Sequence, residues 1–219
     1  MSKLSKRLEK IYNLVSGNIV ADVGCDHGKL SHKLLTTDKC KFVYVSDISK
    51  PSLEKAEKLL SRYKNFESIH CDGLKGYTEK NVDECVISGM GGEEIIQIIE
   101  SSPITIPSYI LSPQKNEIKV KEYMMSLGYG IVYDEIVADK NKYYHIFKCE
   151  RGKESNIVDD LDLIFGRDSF MESNTDLELF IDYEINKNRN ILGQVDEKKR
   201  EEIEKYIATL ELAKKRKGN

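Results

Sequence analysis

Apolar residues recur along the chain in two alternating rhythms. Leu4, Leu8, Ile11 and Val15 fall at helical spacing, with Ser5 as a candidate N-cap and Gly17-Asn18 as the stop. Residues 19–23 then read as a buried strand, followed by the turn Gly24-Cys25-Asp26-His27-Gly28 and a helix to about Leu35. Residues 42–46 form the next apolar run and end at Asp47. Ser49 and Pro51 open a helix to about Tyr63. A third strand, residues 66–71, ends in Asp72-Gly73, and a fourth, residues 85–88, ends in Gly89-Met90-Gly91-Gly92 before a helix over 93–100. A fifth, residues 109–111, ends in Ser112-Pro113-Gln114. The helix 117–127 after it closes at Gly128.

Strands alternating with helices predict an α/β fold, a parallel sheet covered on both faces. Residues 131–137 and 143–149 flank the turn Asp139-Lys140-Asn141-Lys142 and predict a hairpin that adds an antiparallel edge. Beyond Arg151-Gly152 the rhythm becomes purely helical. Residues 157–165 read as a connecting helix. Leu177, Ile181, Ile185 and Leu192 lie along a second, and Ile203, Ile207 and Leu210 along a third, with Gly193 between them. The expectation is a Rossmann-like domain over 1–152 and a C-terminal antiparallel helical hairpin, coiled-coil-like, over 153–219.

Composition narrows the class. Of 219 residues, 40% are hydrophobic, enough to bury a core, and no stretch approaches the ~20 apolar residues that span a bilayer. The charged opening, residues 1–10, lacks the apolar run of a signal peptide, so a cytoplasmic protein is expected. None of the five cysteines forms a C-x-x-C pair, so the expectation is reduced, buried thiols and no metal site. Residues 1–150 balance 21 Lys/Arg against 21 Asp/Glu. Within that neutral average, basic residues cluster at Lys3, Lys6, Arg7 and Lys10 and at Lys115, Lys119 and Lys121; a further cluster runs from Lys214 to Lys217. Such clusters suit a phosphate backbone, although solvated faces look the same.

The unusual residues fall at the carboxyl ends of the strands, where open α/β sheets bind ligands. A dinucleotide fold would place G-x-G-x-x-G after the first strand, but here Asp26 stands where a second glycine is expected. A carboxylate there repels a pyrophosphate and attracts a cation, which favours the ammonium and sulfonium of S-adenosylmethionine over a nicotinamide dinucleotide. An ordinary strand-to-helix turn is the competing structural reading. Asp47, with Ile48 beside it, lies about 20 residues beyond the glycine turn, the place of a ribose ligand. Asp72 could accept from an adenine amine. Gly89, Met90 and Gly91 would let the backbone approach cofactor or substrate.

Asp22-Val23-Gly24-Cys25-Asp26-His27, Asp72-Gly73, Gly89-Met90-Gly91-Gly92 and the opening Leu4-Ser5-Lys6-Arg7-Leu8 resemble the bacterial tRNA (adenine(22)-N1)-methyltransferase family over nearly the whole chain. The resemblance implies a class I methyltransferase fold, S-adenosylmethionine as donor and N1 of a D-arm adenine in tRNA as acceptor. It implies a cofactor pocket of Gly24, Asp26, His27, Asp47, Asp72, Gly73, Gly89 and Met90, with Cys25, Ile48 and Gly91 as neighbours, and Arg7 facing the tRNA or the cleft. Ser112-Pro113-Gln114 departs from the family's Gln-Pro-Asn, and Lys121 stands where the family has Arg.

Chemistry is expected to rest on alignment of the N1 lone pair with the donor methyl. Asp26, Gln114 and the backbone of Gly89 and Met90 are the candidate catalytic groups, as acceptors for the adenine N6 amine. Lys6, Arg7, His27, Lys115, Lys119 and Lys121 are the candidate tRNA contacts. Three other readings compete. A small-molecule methyltransferase would want an apolar lid instead of polar helices. A non-catalytic tRNA-binding module would have a degraded cofactor loop. An NAD enzyme is opposed by Asp26.

Overall fold

The computed structural model describes residues 4–218. Lys3, counted in the first basic cluster, lies outside the described residues. Helix α1 (Lys6–Leu14) starts where the Ser5 hydroxyl accepts from the Leu8 N–H. A regular alternation follows: β1 (Ile19–Val23), α2 (Lys29–Thr36), β2 (Phe42–Asp47), α3 (Lys50–Leu60), β3 (Phe66–His70), β4 (Glu84–Ser88), α4 (Gly92–Glu100), β5 (Ser108–Ser112) and α5 (Glu117–Ser126). The hairpin β6 (Tyr129–Asp139) and β7 (Lys142–Arg151) completes a sheet of order β3-β2-β1-β4-β5-β7-β6. The first five strands are parallel, and β7 joins β5 antiparallel with β6 outermost.

Alternate residues of the central strands enter opposite cores, as the pleat requires. Val86 and Ile110 pack with Ile11, Leu34 and Leu53 on one face, under α1, α2 and α3. Cys85, Ile87, Tyr109 and Leu111 pack with Ile95, Ile98, Val120 and Met124 on the other, under α4 and α5. The strands read as continuous apolar runs because both faces are covered.

The end of α1 is tied to the sheet by buried charge. Lys148 of β7 sits 2.6 Å from Glu84 Oε1 and donates to Leu14 O and Ser16 Oγ. Glu84 in turn accepts from the Ser16 and Gly17 N–H groups and from Ser108 Oγ. Every donor here is engaged, which is what makes a buried pair tolerable.

Beyond the hairpin the chain stays extended to Val158, where the sequence pattern predicted a helix from 157. Ser155 Oγ accepts from Ile131 N–H, and Asn156 bonds Ile131 O and Val132 O along β6. These bonds hold the segment out of helical conformation, so α6 covers only Asp160–Phe165. A 3-10 turn (Arg167–Phe170) and the helices α7 (Asp176–Ile191) and α8 (Glu197–Lys217) follow. Asp168 Oδ2, Ser169 Oγ and Asp176 Oδ2 accept from the N–H groups of Asp134, Ile136 and Ala138, 2.7–2.8 Å each. Alternate outward N–H groups of the edge strand are thus closed by side chains. Ion pairs Asp182–Lys214 and Arg189–Glu211 show that α7 and α8 run antiparallel, since one number rises as the other falls. Leu177, Ile181, Ile185, Leu210 and Ala213 form their own apolar cluster with Ile136 and Phe165.

Two basic groups expected to face RNA are used internally. Lys121 is fully buried: its ammonium lies 2.5 Å from Asp134 Oδ2 and donates to Leu163 O, so it pins α5 to the edge strand and α6 and cannot reach a phosphate. The cluster at 214–217 is largely paired, Lys214 with Asp182, Arg216 with Asp159 and Asp162, and Lys217 with Met171 O. Burial pushes the Asp134 carboxyl up to about 6 even against the pull of Lys121. Because this folded value lies above the unfolded one, the stabilising protonated form is lost as pH rises through it, and above it the Lys121 charge is needed. Removing Lys121 lets that carboxyl rise further, so Lys121→Met is expected to lose about 3–5 kcal/mol at pH 8, progressively less as the pH falls toward 6, and no less below it. Urea unfolding of both proteins between pH 5 and 8 checks this; a deficit independent of pH would contradict it.

Candidate active site

Five strand ends converge on one cavity of about 350 Å³. Its floor begins at the turn after β1. Gly24 (φ +70°), Asp26 (φ +49°) and Gly28 (φ +67°) all take left-handed conformations, which reverse the chain sharply into α2. A side chain on Gly24 would also collide with the Met90 methyl, 2.1 Å from its Cβ position, and one on Gly28 would press on Ala56 of α3. The turn is anchored from β2. Gly24 and Cys25 donate to Ser46 O at 2.8 and 3.0 Å. Asp47 Oδ2 accepts from Asp26 N–H at 3.0 Å, while its Oδ1 accepts from Ser49 N–H at 2.8 Å.

The remaining walls come from the other strand ends. Asp72 and Gly73 follow β3, and Lys75 pairs with Asp72 Oδ2 at 2.5 Å. After β4, Gly89 N–H donates to Ser112 O, and Gln114 N–H donates to Met90 O at 2.9 Å, so the loops after β4 and β5 are laced together. The Gln114 side-chain Nε2 donates to Gly89 O at 2.6 Å. Since a carbonyl can only accept, this contact fixes the amide's orientation and leaves Oε1 as an unspent acceptor. Arg7 of α1 completes the lining. Its guanidinium stacks over the Tyr144 ring at 4.7 Å and lies 3.4 Å from the Cβ position of Gly89.

Asp26, Asp47, Asp72 and Glu94 give the cavity four carboxylates against the single cation of Arg7. That imbalance suits a cationic ligand and opposes a pyrophosphate. Behind the floor, Asp22 accepts from Ser31 Oγ at 2.5 Å, and burial pushes its carboxyl up to about 6 despite that bond.

The structure thus gathers Gly24, Asp26, Asp47, Ile48, Asp72, Gly73, Gly89, Met90, Gln114 and Arg7 around one space. Cys25, His27 and Gly91 stand outside its lining. The Cys25 thiol turns into the core with Leu30 and Leu34, and His27 contacts Lys55 of α3 at 3.2 Å. Lys115 is exposed beside Gly91, and Lys119 is held by Glu93 at 2.7 Å. Lys6 lines a different cavity, with Lys10 and Glu135. Sequence reading missed Ser46, Cys71, Ser88, Glu94 and Ile98. Three of these flank residues it did find, and Glu94 was visible only as an acidic first turn of α4.

A doubly wound sheet with an antiparallel last hairpin, carrying an acidic cavity at its glycine turn, defines a class I S-adenosylmethionine-dependent methyltransferase. Residues 4–147 match the family described as Methyltransferase domain. MG248 of Mycoplasma genitalium, a presumed tRNA methyltransferase, is 33% identical over 162 residues, covering 69% of this chain and 72% of that protein. The tRNA (adenine(22)-N(1))-methyltransferase of Bacillus subtilis is 25% identical over 171 residues, covering 75% and 72%. The structure of M. capricolum TrmK in complex with S-adenosyl-homocysteine superposes with a TM-score of 0.84 at 25% identity, covering 96% of this chain and 97% of that one. The chain belongs to the tRNA (adenine(22)-N1)-methyltransferase family.

Asp47 bonds two loop N–H groups, so its removal both loosens the turn and deletes a charged acceptor. Asp47→Ala is expected to weaken S-adenosyl-homocysteine binding about 10- to 100-fold by calorimetry, a loss of ~1.5–3 kcal/mol. Binding within twofold of the parent would remove Asp47 from the cofactor site.

Proposed function

We propose that this protein methylates N1 of adenine 22 in tRNA, using S-adenosylmethionine held in the cavity at the strand ends. The observation that carries the reading is the gathering of Gly24, Asp26, Asp47, Asp72, Gly89 and Met90 around one acidic space that also contains Arg7 and Gln114. The family relationship supplies the acceptor: the B. subtilis relative is named for adenine 22 of tRNA. The fit to the donor rests on two features. The positive-φ turn at Gly24 brings backbone to the cavity floor, and the lining carboxylates complement an ammonium and a sulfonium. Bound there, the donor supplies an electrophilic methyl group.

In this reading Asp47 takes the ribose hydroxyls and Asp72 the adenine amine of the donor, with Ile48 against its ring. Adenine N1 carries a free lone pair, so the protein needs no base to create the nucleophile. Its task is to align N1 and to balance the positive charge that develops on the ring. Gln114 Oε1, oriented by the Nε2 bond to Gly89 O, accepts from the N6 amine as that charge grows. Arg7, held against Tyr144, holds RNA phosphate near the acceptor. Lys115 and His27, both on the same rim of strand-end loops, extend that contact. The acceptor base must leave its stack to reach the cavity.

The division into a methyltransferase domain over 1–152 and a helical domain over 153–219 is supported by the family match, which ends at 147. No helix among the described residues is long and apolar enough to cross a membrane, and a tRNA substrate points to the cytoplasm.

The test is methyl transfer from labelled donor to unmodified tRNA and to tRNA with guanine at position 22. Label recovered as 1-methyladenosine and absent from the guanine substrate is expected; label in both substrates, or in neither, would refute the acceptor assignment. Arg7→Ala is expected to lower kcat/KM for tRNA at least about tenfold while donor affinity stays within twofold. Loss of donor affinity instead would make Arg7 a cofactor residue.

A further inference from the structure

A second cavity, of about 300 Å³, adjoins the first and shares Gln114 with it. It lies between the β6–β7 turn and α7 and is lined by Tyr143, Tyr144, Phe180 and Tyr183, with Asn141, Lys142 and Glu184. Arg7 lines the first space and Tyr144 the second, so the Arg7–Tyr144 stack stands at the junction of the two, as Gln114 does.

The cleft's chemistry is specific. Tyr143 packs edge-on to Phe180 and tilts at 40° to Tyr183, 5.5 Å between centroids. Tyr183 lines the cleft and stays 50% exposed, so its ring is open to a ligand. The one carboxylate in the lining, Glu184, is bonded by Lys187 Nζ and by Asn188 Nδ2. Lys187 also lies 5.6 Å over the Tyr183 ring, and Lys142 is exposed at the rim. The result is a set of aromatic faces, a neutralised acid, one exposed cation at Lys142 and one oriented amide.

We propose that this cleft seats the acceptor adenine, stacked on Tyr183 and Tyr144, with its N6 amine toward Gln114 Oε1. The proposal rests on the tRNA reading above and assigns α7, part of the helical appendage, to the acceptor site. Aromatic faces bind an unstacked base whatever its identity, and the shared Gln114 places that base beside the methyl donor. The exposed cation at Lys142 faces a phosphate beside the extruded nucleotide.

The experiment compares Tyr183→Leu and Tyr183→Phe with the parent protein on unmodified tRNA. It measures single-turnover transfer at saturating RNA, KM for RNA, and donor affinity. Leucine keeps apolar bulk and removes the ring face; phenylalanine keeps the face and removes the hydroxyl. Tyr183→Leu is expected to slow saturated transfer about tenfold or more, Tyr183→Phe to remain within about twofold, and donor affinity to be unchanged in both. Tyr144→Leu and Tyr144→Phe are expected to repeat the pattern. Saturated transfer at the parental rate in both leucine variants would overturn the proposal, as would a rise confined to KM, which would mean that the cleft holds a neighbouring nucleotide. A parent protein that binds donor but labels no tRNA would instead overturn the tRNA reading itself.

Discussion

The outer edge of β6 governs the arrangement of the C-terminal third of the chain. An edge strand exposes N–H groups that must find acceptors, and here the partner is not another strand. Asp168, Ser169 and Asp176 place three side-chain oxygens on alternate N–H groups, Ser155 supplies a fourth, and Asn156 and Asn174 donate to the carbonyls between them. Satisfying the edge in this way draws residues 153–176 along it in a fixed register. The start of α7 follows directly, because Asp176 is both an edge acceptor and the first residue of that helix.

The site is held from the opposite side by α1. Its last turn is locked through Glu84 and Lys148 at the amino ends of the strands, while its first turn carries Arg7 to their carboxyl ends. Asp139, at the end of β6, accepts from the Arg7 N–H; against the upward push of burial, the Ser5 hydroxyl, the Arg7 and Lys6 N–H groups and the nearby Lys140 charge hold its carboxyl below the usual range. The helix thus spans the sheet from a buried ionic anchor to a solvent-facing guanidinium. Neither end is free to slide without breaking the other, so the stack of Arg7 on Tyr144 is a property of the fold and not of a mobile surface side chain.

The strand ends were legible because each couples a short apolar run to glycine or aspartate, and the geometry of an open sheet then forces those residues together. Asp26, Asp47, Asp72 and Gly89 needed no contact information to be found. Lys121 was not legible, because its partners Asp134 and Leu163 are distant in sequence and only the packing of α5 on the edge strand brings them together. The same limit applies to His27, which shares a turn with Asp26 yet points to Lys55 of the neighbouring helix. Residues 157–159 read as helical because they permit a helix; the bonds that hold the preceding residues along the edge of β6 delay the start of α6 to Asp160. The aromatic cleft joins two segments, residues 141–144 and 180–184, that only the folded chain makes adjacent.

The thiols beside the cavity have a consequence for chemical selectivity. A thiolate is a far better nucleophile toward an activated methyl group than an adenine ring nitrogen, and one placed here would divert the methyl onto the protein. Cys71 lines the cavity and Cys25 lies directly behind its floor. Burial raises both thiols above their ordinary value, reinforced at Cys25 by the charges of Asp22 and Asp47 and at Cys71 by that of Asp72. Cys71 further donates its proton to Gly73 O. Burial does most of this, and the nearby carboxylates add to it, so the sulfur atoms stay protonated. The walls that shelter the donor therefore also guard the enzyme against alkylating itself.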